Sequence, residues 1–234
     1  MRTLFIGDVH GCYDELMELV TKIWLMPEDH LYFVGDLVNK WPKSLEVVQF
    51  VKNRPNTWSV LGNHEYFLMC SLEEQKAYFD RSPHISTERQ WWIRTEYQAA
   101  SLNRSLLEQN HLSKWVSSLP VYIEKENFIL VHGWLHPDFW LETPSDIATM
   151  IRMYEGKPWY EYYTGEKKVI YGHWAVDGLR IRENTIWLDT GCCFGGHLTA
   201  YCLESGEIWQ VHAHDIYKIP ADHKWKIEKI KSGN

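Results

Sequence analysis

No run in this chain is apolar for long enough to suggest a membrane span, and no low-complexity linker or internal repeat divides it. Met1 leads almost directly into Leu4-Phe5-Ile6, too short a run for an export signal, so the expected location is cytoplasmic. The five cysteines are an odd number without a C-x-x-C pair. That excludes a disulfide framework and points to free thiols in a reducing compartment. Positive charge is also short: 24 Lys and Arg face 31 Asp and Glu, a net charge of -7. An extended nucleic-acid surface is thereby excluded, and no duplex or membrane partner is expected. A phosphorylated substrate stays open, provided bound cations reverse the local field. Nothing in the sequence specifies an oligomer.

What is present reads as one domain over residues 1–234, long enough for a sizeable core. The 13 Trp are read mainly as packing residues. The chain is organised around Gly7-Asp8-Val9-His10-Gly11, which follows the apolar run Thr3-Leu4-Phe5-Ile6. Residues i and i+2 of an extended segment share a side, so Asp8 and His10 can grip one ion. A helix is predicted over Tyr13–Trp24, with Leu16, Leu19, Val20 and Ile23 inward. Leu31–Val34 is a strand ending at Gly35-Asp36. A helix from Pro42 carries Leu45, Val48 and Val51, and Trp58–Leu61 is a strand ending at Gly62-Asn63-His64-Glu65. This alternation predicts parallel pairing, with ligands at the carboxyl edge of the sheet.

Residues 66–118 are helical in tendency and aromatic, and read as a helical insertion at about 71–118. The second half changes pattern. Strands are expected at Pro120–Ile123, Phe128–Val131, Lys168–Tyr171, Leu179–Ile181, Thr185–Leu188, Leu198–Tyr201 and Glu207–Gln210, paired largely antiparallel. The fold class is α/β: two packed mixed sheets flanked by helices. Two late strands again end in histidine beside glycine, Val131-His132-Gly133 and Tyr171-Gly172-His173. Asp8, His10, Asp36, Asn63, His64, His132 and His173 offer more donors than one metal needs. They suit two ions roughly 3.5–4 Å apart sharing a carboxylate. Oxygen and imidazole donors without thiolate point to manganese first, with iron, zinc, cobalt or nickel as alternatives.

In this order, Gly-Asp-x-His-Gly, Gly-Asp-x-Val, Gly-Asn-His-Glu, His-Gly and Gly-His resemble the calcineurin-like metallophosphoesterases. The branch is the bacterial phosphoprotein-phosphatase type, which includes symmetrical diadenosine tetraphosphatase. The resemblance covers residues 1 to about 70 and 120–205. It implies one metal at Asp8, His10 and bridging Asp36, and a second at Asp36, Asn63, His132 and His173. It implies His64 as general acid, with Glu65 supporting it. It also implies in-line attack by a metal-bridging hydroxide, without a phosphoenzyme.

The chain departs from that family where Gly35-Asp36-Leu37-Val38 continues as Asn39-Lys40-Trp41-Pro42. Lys40 stands for a phosphate-binding arginine and loses its bidentate fork. Asn39 stands for the aspartate beside the general acid; an amide orients an imidazole but gives imidazolium no full counter-charge. Arg152 is the candidate for a second phosphate contact. Adjacent Cys192 and Cys193 are read as small buried hydrophobes. The leading expectation is hydrolysis of phosphomonoesters, phosphoprotein first. The alternative is a dinucleotide polyphosphate hydrolase, and a non-catalytic binding module stands third because none of the expected ligands is missing.

Overall fold

The computed structural model describes residues 1–40, 42–69, 103–137, 141, 153–155, 157–175 and 178–218. Residues 71–102 of the expected 71–118 insertion, Trp41 and Arg152 lie outside them. The first half alternates as its periodicity dictates: β1 (Thr3–Ile6), α1 (Tyr13–Ile23), β2 (His30–Phe33), α2 (Ser44–Asn53), β3 (Thr57–Ser59) and α3 (Asn63–Met69). Residues 103–109 and Ser113–Ser117 are helical. Then follow β4 (Tyr122–Glu124), β5 (Phe128–Val131), the short hairpin β6 (Met153–Tyr154) and β7 (Lys157–Pro158), and β8 (Lys168–Tyr171). The last strands are β9 (Arg180–Ile181), β10 (Thr185–Trp187), β11 (His197–Cys202) and β12 (Ile208–His212).

Two five-stranded mixed sheets result, in the orders β12-β11-β1-β2-β3 and β4-β5-β8-β10-β9. Side chains alternate across each strand, so every strand feeds two layers. In the first sheet Leu4, Ile6, Leu31, Phe33, Leu198 and Ala200 face α1 and α2, meeting Leu16, Leu19, Val47, Val48 and Val51. The intervening Phe5, Tyr32, Val34 and Tyr201 face the second sheet and pack on Phe128, Leu130, Ile170, Ile186 and Leu188. The other face of that sheet presents Ile129, Val131, Val169, Tyr171 and Trp187 to Trp134, Leu135 and Trp159. Trp134, Trp159 and Trp187 are fully buried, which fits tryptophan as packing material. No helix among the described residues is long and apolar enough to cross a membrane.

Element ends move by a residue or two from the sequence expectation. α1 stops at Ile23 because Trp24 takes a left-handed turn, φ 52°, that caps the helix and leaves its indole exposed. α2 starts at Ser44; Val48 and Val51 are buried as expected, and Val47 rather than Leu45 joins them. The larger correction concerns pairing in the second half. β4–β5, β9–β10 and β11–β12 are antiparallel as expected, but the centre of the second sheet, β5-β8-β10, is parallel. Residues 133–167 supply the crossover that a parallel β5–β8 pair requires.

Candidate active site

The parallel pairing decides where the chemistry collects. Just past the carboxyl ends of β1, β2 and β3 stand Asp8 with His10, Asp36, and Asn63 with His64; past β5, β8 and β10 stand His132, His173 and Asp189. The structure gathers these ends into one cluster, buried except at the half-buried His173. Asp36 is at its centre: Oδ2 is 3.4 Å from His10 Nε2, and Oδ1 is 3.4 Å from His132 Nε2. Asp8 Oδ2 lies 4.0 Å from His10 Nε2, on the first side. On the second side Asn63 Oδ1 is 2.9 Å from His132 Nε2 and 2.6 Å from His173 Nδ1. Two groups of donors therefore share Asp36: His10–Asp36–His64 and Asp36–His132–His173, with ligand-type atoms within 4.8 Å of one another in each.

The backbone is bent to make this possible. His10, Asp36, Asn39, Lys40 and His173 all have positive φ, between 49° and 77°. Such conformations are uncommon outside glycine and gather at functional sites. The loops are laced together: the N–H groups of Val9 and His10 donate to the Asp36 carbonyl, at 3.2 and 2.8 Å. The motif glycines are explained by close approach. A methyl group at Gly172 would run into Asp8 Oδ1, and one at Gly62 into the Asp36 backbone and carboxylate.

The donor set fits divalent cations. The Nδ1 atoms of His10 and His132 sit 3.1 and 2.8 Å from the carbonyls of Val38 and Val34. With Nδ1–H donated there, each Nε2 lone pair points into the cluster, the tautomer a metal ligand needs. Asp8, Asp36 and Asp189 are three carboxylates at most 4% exposed, and buried negative charge needs a counter-ion. Burial, then the charge of Asp189, push the Asp8 carboxyl well up. Burial alone would raise Asp36 too, but His132, His64 and His10 hold it well below the usual carboxylate range. Burial works against a charge on His132, yet Asp36 raises it to about 9. Burial, then Lys40, lower His10 to about 3, and the Lys40 ammonium sits 2.8 Å from His10 Nε2.

Glu65 supports the site through the backbone of its loops. Its fully buried carboxylate accepts the N–H groups of Asp36 and Leu37 at 2.8 Å and of Val38 and Gly62 at 3.0 Å. Burial and the charge of Asp36 push its carboxyl up to about 7, against the pull of those donors. Glu65 thus clamps the loops after β2 and β3. A Glu65→Gln side chain turns an amide NH₂ toward N–H donors; we expect a loss of about 1–3 kcal/mol. Thermal unfolding checks this, each kcal/mol lowering Tm by about 2–4 °C at this size. An unchanged Tm would show the clamp to be incidental.

The His64 ring packs edge-on against His10, centroids 4.7 Å apart. Asn39 Nδ2 lies 3.2 Å from His64 Nδ1, and Asn103 Nδ2 donates to Asn39 Oδ1 at 2.8 Å. Asn103 and Asp189 are the site-edge residues that sequence reasoning left without a role. Asp189 carried a usable signal, an acid directly after an apolar strand; Asn103 carried none.

Two facing mixed sheets with a buried, carboxylate-centred donor set at their shared carboxyl edge form the site of a metal-dependent hydrolase. The chain belongs to the calcineurin-like phosphoesterase family, whose model matches residues 1–218. It is 28% identical to a symmetrical bis(5'-nucleosyl)-tetraphosphatase of Dechloromonas aromatica (strain RCB), over 94% of this chain and 99% of that protein. It is 30% identical to the asymmetrical bis(5'-nucleosyl)-tetraphosphatase PrpE of Geobacillus sp. (strain WCH70), over 86% of this chain and 90% of that one. A crystal structure provisionally assigned as a diadenosine tetraphosphatase superposes with a TM-score of 0.71 at 29% identity, covering 92% of this chain and 94% of that one.

Proposed function

We propose that this protein hydrolyses the phosphoanhydride chain of dinucleoside polyphosphates, with two divalent cations as cofactor, manganese first. This reverses the order expected from sequence, where phosphoprotein came before dinucleotide. The observation that carries it is the full-length match to relatives named as bis(5'-nucleosyl)-tetraphosphatases, spanning 99% and 90% of their own lengths. We read residues 1–234 as one metallophosphoesterase domain with a helical insertion at about 71–118. The helical stretches 103–109 and Ser113–Ser117 support that reading. The four described cysteines, all free, support a cytoplasmic location.

In this reading Asp8, His10 and Asp36 hold one ion, and Asp36, Asn63, His132 and His173 the other. Bound cations acidify water and neutralise phosphate charge. The chain's own residues do the rest. Asp36 presents one oxygen to each side. Asn39 contacts His64 at Nδ1 and orients the ring, which leaves Nε2 as the atom that delivers the proton to the leaving oxygen. Lys40, on the His10 side, supplies a point charge to phosphate, and Arg152 is assigned a second phosphate contact.

The test is a comparison with manganese present: diadenosine tetraphosphate, a phosphoserine peptide and p-nitrophenyl phosphate, with nucleotide products separated by chromatography. We expect the highest kcat/KM on the dinucleotide. A higher kcat/KM on the phosphopeptide would return the protein to the phosphoprotein class.

A further inference from the structure

Behind the catalytic edge, at the start of α1, the fold buries a second kind of donor set. Cys12, Glu15 and Cys192 bring a sulfur, a carboxylate oxygen and a sulfur within 4.8 Å of one another. All three residues are at most 1% exposed. We propose that they form a third metal site, for a borderline-soft divalent cation of the zinc type, chemically distinct from the nitrogen and oxygen centre.

The donor chemistry is the first support. Two cysteine sulfurs and a carboxylate select zinc-like ions over the hard cations that oxygen sites prefer. The second is an unanswered acceptor. Glu15 Oε1 takes the His214 N–H at 2.9 Å and the Tyr217 hydroxyl, whereas Oε2 is buried and accepts no hydrogen bond among the described residues. A carboxylate oxygen left so in a dry interior costs free energy, and a cation beside it removes that cost. Neither cysteine is in a disulfide, and the thiol–thiol contact between Cys12 and Cys192 is given up when both bind an ion. On coordination each thiol gives its proton to solvent and binds as thiolate.

The placement gives the site a task. Cys12 follows the loop that carries Asp8 and His10, and Cys192 follows Asp189-Thr190-Gly191. His214 and Tyr217 come from the segment after β12. An ion here ties three segments together directly behind the catalytic donors and steadies the backbone from which Asp8, His10 and Asp189 project.

Cobalt separates this site from the catalytic one, because only a sulfur-ligated cobalt ion gives an intense thiolate-to-metal charge-transfer absorption in the near ultraviolet. Protein loaded with Co²⁺ is expected to show that band, and zinc-loaded protein to hold one ion more than the Cys12→Ser/Cys192→Ser variant, which lacks the band. Glu15→Gln keeps both sulfurs and is expected to weaken cobalt binding at this site by at least about 10-fold. A wild-type protein filled with cobalt but without the band overturns the proposal. So does a band that survives in the double variant, or a Glu15→Gln affinity equal to wild type. So too does a thiol titration of denatured, freshly purified protein that finds two fewer than the five cysteines of the sequence, since the pair would then be a disulfide. None of these readings depends on the substrate.

Discussion

Asp36→Asn is expected to empty the centre of both ions and to lower kcat by at least about 10²–10³-fold, the cost of losing one preorganised electrostatic group. The geometry singles this carboxylate out. Its two oxygens lie 3.4 Å from His10 Nε2 on one side and 3.4 Å from His132 Nε2 on the other, and it belongs to both donor groups. Asparagine has the same shape and keeps Oδ1 to accept the His64 N–H, which now bonds at 2.9 Å. The fold should therefore survive. What goes is the negative charge between two cations, together with one of the two oxygens. Asp8 makes a useful contrast, since among these donors it stands on the His10 side, 4.0 Å from Nε2, and belongs to neither of the two donor groups that share Asp36. Asp8→Asn should release one ion and cost less activity. Elemental analysis after dialysis, paired with kcat, decides the matter. Equal losses of metal and rate in the two variants would mean that Asp36 does not bridge.

Much of this centre was legible because its residues punctuate strands. Apolar runs ending in Gly-Asp or Gly-Asn show at once where a sheet edge lies and what it carries, and β1, β2 and β3 follow that pattern. The second half was harder, for a physical reason. A short, fully buried strand such as Phe128–Val131 lacks alternation, and its pairing direction depends on the length of the connection after it. An antiparallel β5–β8 pair would have put His132 and His173 at opposite ends of the sheet. The parallel pair brings His173 Nδ1 to 3.2 Å from His132 Nε2. Pairing direction and site assembly are thus the same fact, and the antiparallel expectation for this half could not have placed both late histidines at one site. Glu65 shows a different limit. Its motif position marked it as important, but the partners of a buried carboxylate are backbone N–H groups, which carry no sequence signature. Asn103 is more remote still, reaching Asn39 across 64 positions of chain through a single amide contact.

His64→Asn is expected to discriminate between leaving groups. A positioned general acid contributes about 10²–10⁴-fold when the leaving oxygen needs a proton. An alkyl phosphate such as phosphoserine needs one, so on that substrate the variant should lose most of this factor. The p-nitrophenolate ion departs unaided, and the terminal phosphate oxygen released from a dinucleoside polyphosphate is likewise weakly basic. On those two substrates the loss should be much smaller. The partner of His64 fits this division. Asn39, 3.2 Å from Nδ1, orients the ring through an amide and offers no charge to stabilise an imidazolium. Such an acid is suited to an anhydride, which asks little of it, and ill suited to an alkyl ester. Asn39→Asp should accordingly raise the phosphoserine rate more than the dinucleotide rate. Metal content is the control, because the His64 ring lies beside His10 and its donor atom within 4.8 Å of those of His10 and Asp36. A His64→Asn protein that loses an ion, or that loses the same factor on all three substrates, would make His64 a ligand or a packing residue rather than the proton donor.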